Sequence, residues 1–272
     1  MDTVMERKIK IDEKKCIHCG KCINDCLFGC LEFDENKIPR HSSLGSNCIA
    51  CQHCMAICPV GAFSFNGKNP ENSTKVDYGN DVELLNLIKS RKSIRAYKNE
   101  NIPQEKFEKI KEMLPFVPTG ANINDLHFSI VETKEKMNEI IKLTYEKIMT
   151  ADDNLPLIQL CKTSYKNGCD IIYRGAPSMI AVAVDTKKAI QGCENADPII
   201  ALSYLDLYAP TIGLGTLWCD MALVMANQFP EIYSLLEIPE NYTLNYTMLL
   251  GIPDVKYQRT AQPEQFSIKE IR

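Results

Sequence analysis

The chain has no apolar run near the roughly 18 residues that a membrane helix needs, and Met1–Lys10 lacks the apolar core of an export signal. These absences predict a soluble, cytoplasmic protein. A net charge of −4 over 272 residues is too small to favour nucleic acid or a membrane surface, so neither is expected as a partner. No Gly-x-Gly-x-x-Gly follows a strand-like run, which excludes a separate dinucleotide-binding domain. Tryptophan occurs once, as Trp218. A hydrophobic fraction of 45% still permits an ordinary buried core. The length suits about two domains of roughly 100–200 residues.

Cysteine is plentiful, with 13 copies. In a chain of this length without an export signal they imply a reducing compartment and argue against a disulfide framework. Cys16, Cys19, Cys22 and Cys26 read C-x-x-C-x-x-C-x-x-x-C, and Cys48, Cys51, Cys54 and Cys58 repeat that spacing, followed by Pro59. Three thiolates two residues apart let a tight loop wrap three corners of a cube. A fourth, carried off by the next helical turn, reaches another cube, which is the ligand pattern of two [4Fe-4S] clusters. Cys16, Cys19 and Cys22 are therefore expected to share a cluster with Cys58, and Cys48, Cys51 and Cys54 with Cys26. Zinc knuckles also use C-x-x-C, but typically with two cysteines per loop and a long spacer.

His18 and His53 lie inside the cysteine loops, and they read as surface or hydrogen-bonding groups because cysteine already fills every corner. Cys30 reads as a small buried residue. Cys161, Cys169, Cys193 and Cys219 share no spacing and read as core or surface thiols. Residues 1–66 carry eight basic and eight acidic side chains, whereas His41–Asn66 carries none. That charge-free stretch is either the dry wall a cluster requires or a face that docks on the rest of the protein. On the second reading the Cys48-Cys51-Cys54 cluster lies nearer the other redox site.

Lys8–Ile11, Cys30–Phe33 and Ala62–Phe65 are expected as short strands around the cysteine runs, closing a pseudo-symmetric domain over 1–66. Residues 67–80, rich in Asn, Gly, Ser and Pro, read as a linker to a second domain over 81–272. There Asp81 is expected to cap a helix with Leu84, Leu85 and Ile88 on one face, and Pro103 to open a second with Phe107, Ile110 and Leu114. Met137, Ile140, Ile141 and Tyr145 mark a third helix. His127–Val131 and Met179–Val184 read as strands, the latter apolar throughout like a central strand. Ile199–Tyr208 and Met221–Phe229 read as helices flanking the turn Gly213-Leu214-Gly215, with Pro210 kinking or ending the first. Tyr246–Leu250 is a late strand. The whole predicts an α+β chain: a small two-cluster domain, then a three-layer α/β/α domain.

Four features follow in order in the second domain: Arg91-Lys92-Ser93-Ile94-Arg95, Pro118-Thr119-Gly120-Ala121-Asn122, Gly213-Leu214-Gly215-Thr216, and Gly251-Ile252-Pro253 with Arg259. Three cations around a hydroxyl make a phosphate clamp. Together these features resemble the FMN-dependent nitroreductase family, and the first domain resembles the bacterial two-cluster ferredoxins. The chain thus looks like a ferredoxin-nitroreductase fusion. The resemblance implies that Arg91, Lys92 and Ser93 hold the FMN phosphate and ribityl chain, with Arg95 near the pyrimidine edge and Arg259 approaching the phosphate. It also implies a homodimer with FMN at its interface, in which Pro118, Thr119, Gly120 and Asn122 touch the flavin of the other subunit. Leu214 and Gly215 would offer backbone N–H groups to the reactive ring nitrogen. Trp218 would stack near the flavin or pack in the helix that follows.

With clusters near roughly −400 mV and a flavin on the order of 200 mV higher, two electrons release about 9 kcal/mol. The expectation is an FMN oxidoreductase in which the clusters feed the flavin and a small electron-poor acceptor, a nitroaromatic or quinone, is reduced. The donor is NAD(P)H or an external low-potential carrier. The competing expectation is an electron-transfer or redox-sensing protein without dedicated turnover.

Overall fold

The computed structural model describes residues 7–152, 155–264 and 266–272. Met1–Glu6, on which part of the signal-free reading rests, lie outside them. The chain forms two compact units, Met1–Tyr78 and Gly79–Arg272.

In the first unit, β1 (Ile9–Ile11) pairs antiparallel with β4 (Phe63–Phe65), and β2 (Leu31–Phe33) with β3 (Pro39–His41). The partner β3 was not expected, because a three-residue run opening on proline carries no strand period. Two single-turn helices, α1 (Lys21–Asn24) and α2 (His53–Ala56), carry Cys22 and Cys54. Gly20 (φ +69°) and Gln52 (φ +62°) precede them at matching places, so the two halves repeat in backbone as in spacing. Leu31, Met55, Phe63 and Phe65 form the core, with Cys22, Cys48, Cys54 and Cys58 packed against it. Within the segment expected as linker, Pro70–Asn72 make a 3₁₀ turn capped by Asn69, and Glu71 pairs with Lys15 at 3.1 Å.

The second unit is built on one antiparallel sheet in the order β5 (Leu126–Val131), β6 (Ser178–Asp185), β8 (Tyr242–Gly251), β7 (Gly215–Trp218). All eight residues of β6 are buried, as a central strand demands. Its side chains alternate. Met179 and Ala181 join the core under α5 (Lys134–Thr150), α6 (Pro156–Lys166), α8 (Asp220–Gln228) and α9 (Pro230–Leu235). Ile180 and Val182 join the core under α4 (Gln104–Met113) and α7 (Cys193–Tyr208). The three-layer expectation is met.

The structure corrects several local expectations. Asn80, not Asp81, caps α3 (Asp81–Ser90): its Oδ1 accepts from Val82 N–H at 2.9 Å, and Asp81 falls in the first turn. Pro103 sits one residue before α4. Pro210 ends α7 by opening a 3₁₀ turn, Ala209–Ile212. Helix α7 itself starts at Cys193 and runs through Pro198. Proline cannot donate to the carbonyl four residues back, that of Glu194. Asn245, the extra residue where the β6–β8 register shifts, supplies the missing donor from Nδ2 at 3.1 Å. The Leu84, Leu85 and Ile88 face of α3 is not covered within its own unit by the described residues: each is about half exposed, at 51%, 50% and 49%.

Candidate functional site

Cys16, Cys19, Cys22 and Cys58 line one cavity together with Ile11, Ala62 and Phe63. Three come from the first cysteine run and the fourth from the end of the second, which is the crossed grouping expected from the spacing. Of the other four, Cys26, Cys48 and Cys51 are linked through Cys30, which is 2% exposed. Its backbone N–H donates to Cys26 Sγ at 3.3 Å. Burial pushes its thiol up to about 11, and the sulfurs of Cys26, Cys48 and Cys51 stand near enough to add to that rise.

The end of the second run repeats the arrangement, with Ala62 N–H donating to Cys58 Sγ at 3.2 Å. Donors aimed at sulfur favour its charged, metal-ligating form and tune a cluster's potential. Burial, followed by the neighbouring Cys51 and Cys48 sulfurs, pushes the Cys54 thiol up to about 12. A thiol raised in this way becomes a thiolate beside a cation, which cluster iron supplies. Among the described residues no three His, Cys, Asp or Glu side chains meet closely enough for a single ion. Cys16, Cys19, Cys22 and Cys58 stand around a space, and the residues fit cubane clusters.

The histidines are engaged elsewhere: His18 Nδ1 lies 3.0 Å from Lys37 O, and His53 Nδ1 lies 3.3 Å from Asp25 Oδ2. They are not equivalent, since His18 precedes the second cysteine of its run and His53 the third.

In the second unit, the segment after α3 runs beside β7. Ser93 bridges to Thr216 in parallel, and Ile94 N–H donates to Thr216 O at 2.8 Å. Further on, Lys98 N–H donates to Ile252 O at 2.8 Å and Asp254 N–H to Ala96 O at 3.0 Å. Three of the four sequence features thus meet along one sheet edge, although more than 150 residues separate the first from the last. Gly215 is required by this approach: a Cβ there would stand 2.5 Å from Ile94 Cγ1 and 2.9 Å from Ile94 Cβ. Gly213, in the left-handed region at φ +72°, turns the chain into β7. Leu214 N–H is donated to Ala209 O at 2.9 Å, within the turn.

Arg91 and Lys92 are half-buried and Arg95 is exposed. Arg91 Nη1 lies 3.3 Å from Asp206 Oδ2, a buried carboxylate near the end of α7. Trp218 Nε1 donates to the same oxygen at 3.0 Å, and Thr216 Oγ1 donates to Asp206 Oδ1. Trp218 ends β7 with its ring edge on Tyr246, correcting the alternative that placed it in the following helix. Arg259 lies on the exposed stretch after β8 and has no hydrogen bond or ion pair among the described residues, so the fold does not tie it to the clamp.

Pro118–Asn122 is not brought to the clamp. Gly120 N–H donates to Asp197 Oδ2 at 2.8 Å, and a Cβ on Gly120 would stand 2.5 Å from Cys193 Sγ. Asp197 and Asp206 both lie on α7, and nine residues at about 1.5 Å each separate them by about 13 Å. The helix therefore holds the loop and the clamp apart within one chain. The loop is strained, with Ala121 (φ +46°), Asn122 (φ +55°) and Asn124 (φ +52°) in the left-handed region.

Sequence reading missed Asp206 and Asp197. The available signal was an acidic residue on an otherwise apolar helix face, since Asp206 falls among the buried Leu202, Leu205 and Ala209.

The profile of the nitroreductase family matches residues 88–252, and that of the 4Fe-4S dicluster domain matches residues 9–65. A solved nitroreductase with bound FMN from Desulfitobacterium hafniense is 25% identical, with a TM-score of 0.57 over 70% of this chain and 98% of that one. Another nitroreductase with bound FMN, from Bacteroides fragilis, shares the fold at 23% identity and a TM-score of 0.57, over 71% of this chain and all of that one. A ferredoxin of Pyrobaculum islandicum is 39% identical over 57 residues, 21% of this chain and 51% of the ferredoxin.

Proposed function

Because the chain belongs to the nitroreductase family, and is an oxidoreductase with a 4Fe-4S dicluster domain ahead of its catalytic unit, we propose that it binds two [4Fe-4S] clusters and FMN and reduces a small electron-poor acceptor. Bound together, these groups would turn single electrons into the two-electron reduction of a nitroaromatic or quinone. Electrons enter from NAD(P)H or from an external low-potential carrier.

The carrying observation is the meeting of Arg91–Arg95, Gly213–Thr216 and Gly251–Pro253 at the β7 edge. There Arg91, Lys92 and Ser93 hold the phosphate end, and Arg95 lies toward the pyrimidine edge. Gly215 sets how closely the backbone can approach a flat ring. Cys16, Cys19, Cys22 and Cys58 hold one cluster, and Cys26, Cys48, Cys51 and Cys54 the other.

The protein acts as a homodimer. The span of α7 supports this, because it keeps Pro118, Thr119, Gly120 and Asn122 away from their own clamp and leaves them for that of a second copy. The uncovered apolar face of α3 supports it independently.

Anaerobic purification tests the reading. The holoprotein is expected to release FMN on denaturation, to contain about eight iron and eight sulfide per chain, and to couple oxidation of NAD(P)H or reduced ferredoxin to loss of a nitroaromatic or quinone. Absence of either cofactor, or no turnover with any such pair, refutes it.

A further inference from the structure

We propose that Asp206 is the positioning residue of the phosphate clamp. It holds Arg91 in place and ties that guanidinium to the strand bearing the glycine turn. This rests on the FMN reading above and adds a residue that neither the cationic motif nor the glycine turn contains.

Three donors from two separate segments converge on this one carboxylate: Arg91 after α3, and Thr216 and Trp218 in β7. Asp206 is 5% exposed and Thr216 1%, so the junction is dry on the protein side, while the Arg91 side chain remains 35% exposed toward solvent. Arg91 Nη1 is committed to Asp206, and the fork geometry of a guanidinium leaves further N–H groups for an incoming anion. A carboxylate behind the arginine restricts its rotamers before any ligand arrives, so less side-chain freedom is lost on binding. Charge points the same way. Arg91, Lys92 and Arg95 bring three positive charges and Asp206 removes one, leaving a net charge matched to a phosphate monoester, which carries about −1.5 to −2 at neutral pH.

The junction also joins the two ends of the proposed site. Thr216 donates to Asp206 through its side chain, and its backbone carbonyl accepts from Ile94. A shift of Asp206 would therefore move the clamp and β7 together. An amide at this position can keep its oxygen toward Arg91 and Trp218 and turn its amino group to the Thr216 hydroxyl, which can accept, so Asp206→Asn removes the charge behind Arg91 while largely sparing the packing.

The test is the preference for FMN over riboflavin, measured as the ratio of dissociation constants in the full-length protein stripped of flavin. Asp206→Asn is expected to reduce that ratio about tenfold, the effect of misplacing one charge-assisted hydrogen bond. In an Arg91→Ala background the same substitution should change the ratio no further, because the effect runs through the guanidinium. A wild-type protein that binds FMN no better than riboflavin refutes the clamp itself. A wild-type preference that survives intact in Asp206→Asn, or a further loss of equal size in the Arg91→Ala background, refutes the role of Asp206 alone.

Trp218, the sole tryptophan, supplies a second readout that also serves if Asp206→Asn does not fold. Inorganic phosphate added to the flavin-free protein should shift Trp218 emission in the wild type and not in Arg91→Ala. An emission indifferent to phosphate in a wild type that does prefer FMN counts against the coupling.

Discussion

Mixing two damaged subunits tests the consequence of α7 holding the loop and the clamp about 13 Å apart. Arg91→Ala removes a guanidinium from the clamp, a charge-assisted contact worth about 1.5–3 kcal/mol, or about ten- to a hundredfold in FMN affinity. Gly120→Ala damages the opposite surface, because its Cβ would fall 2.5 Å from Cys193 Sγ and 2.9 Å from Cys193 Cβ and so lift the loop off α7. Each homodimer then carries two sites with one defect apiece. A heterodimer, isolated through two different affinity tags on co-expressed chains, pairs the surfaces differently. If the loop serves the partner's clamp, one site collects both defects and the other has none, so turnover is about half that of the wild-type dimer. If loop and clamp served the same chain, both sites would stay damaged. The assay is nitroaromatic reduction under subsaturating FMN, compared among the two homodimers, the heterodimer and the wild type. A heterodimer no better than the weaker homodimer would refute the argument from helix length.

Three further outcomes are expected. Cys58→Ser should lower iron from about eight to about four per chain, because Cys58 shares a cavity with Cys16, Cys19 and Cys22 and not with the remaining cysteines; iron analysis after anaerobic reconstitution checks it. Gly215→Ala should cost about 1–3 kcal/mol through overpacking against Ile94 and weaken FMN binding in parallel, as read from urea midpoints and flavin titration. Asp125 is fully buried, its carboxylate oxygens accept no hydrogen bond from another of the described residues, and burial followed by Asp197 and Asp185 raises its pKa. A raised carboxyl is equally protonated in both states below the unfolded pKa of about 3.9, and destabilises the fold as pH rises above that value. Asp125→Asn should therefore raise the urea midpoint at neutral pH, with the gain vanishing toward pH 4 and below; a gain unchanged by pH would contradict the assignment.

The two cysteine runs were legible because ligand spacing is local: the distance from Cys16 to Cys22 along the chain limits the arc their sulfurs can span. The central strand was legible because β6 is apolar at nearly every position, which only two covered faces tolerate. Strand β3 and helix α9 were not, since a three-residue strand and a six-residue helix show fewer than two periods. The resemblance placed the flavin motifs in order and named their residues. It did not reveal that Leu214 N–H donates within the turn, that Gly215 is required by Ile94, or that Asp206 stands behind Arg91.

By itself the sequence determined the chemistry available to this protein: eight thiols in two runs of one spacing, a cationic segment and a glycine turn, each recognisable within a few residues. Only the tertiary structure decided which of these share a site. Contacts between residues 91, 206 and 216, and between 97 and 253, depend on strand order and on the length of one helix, and the helix that brings Asp206 beneath Arg91 also carries Gly120 out of reach. Such long-range distances are set by packing whole elements against a common sheet, so no window of local sequence contains them.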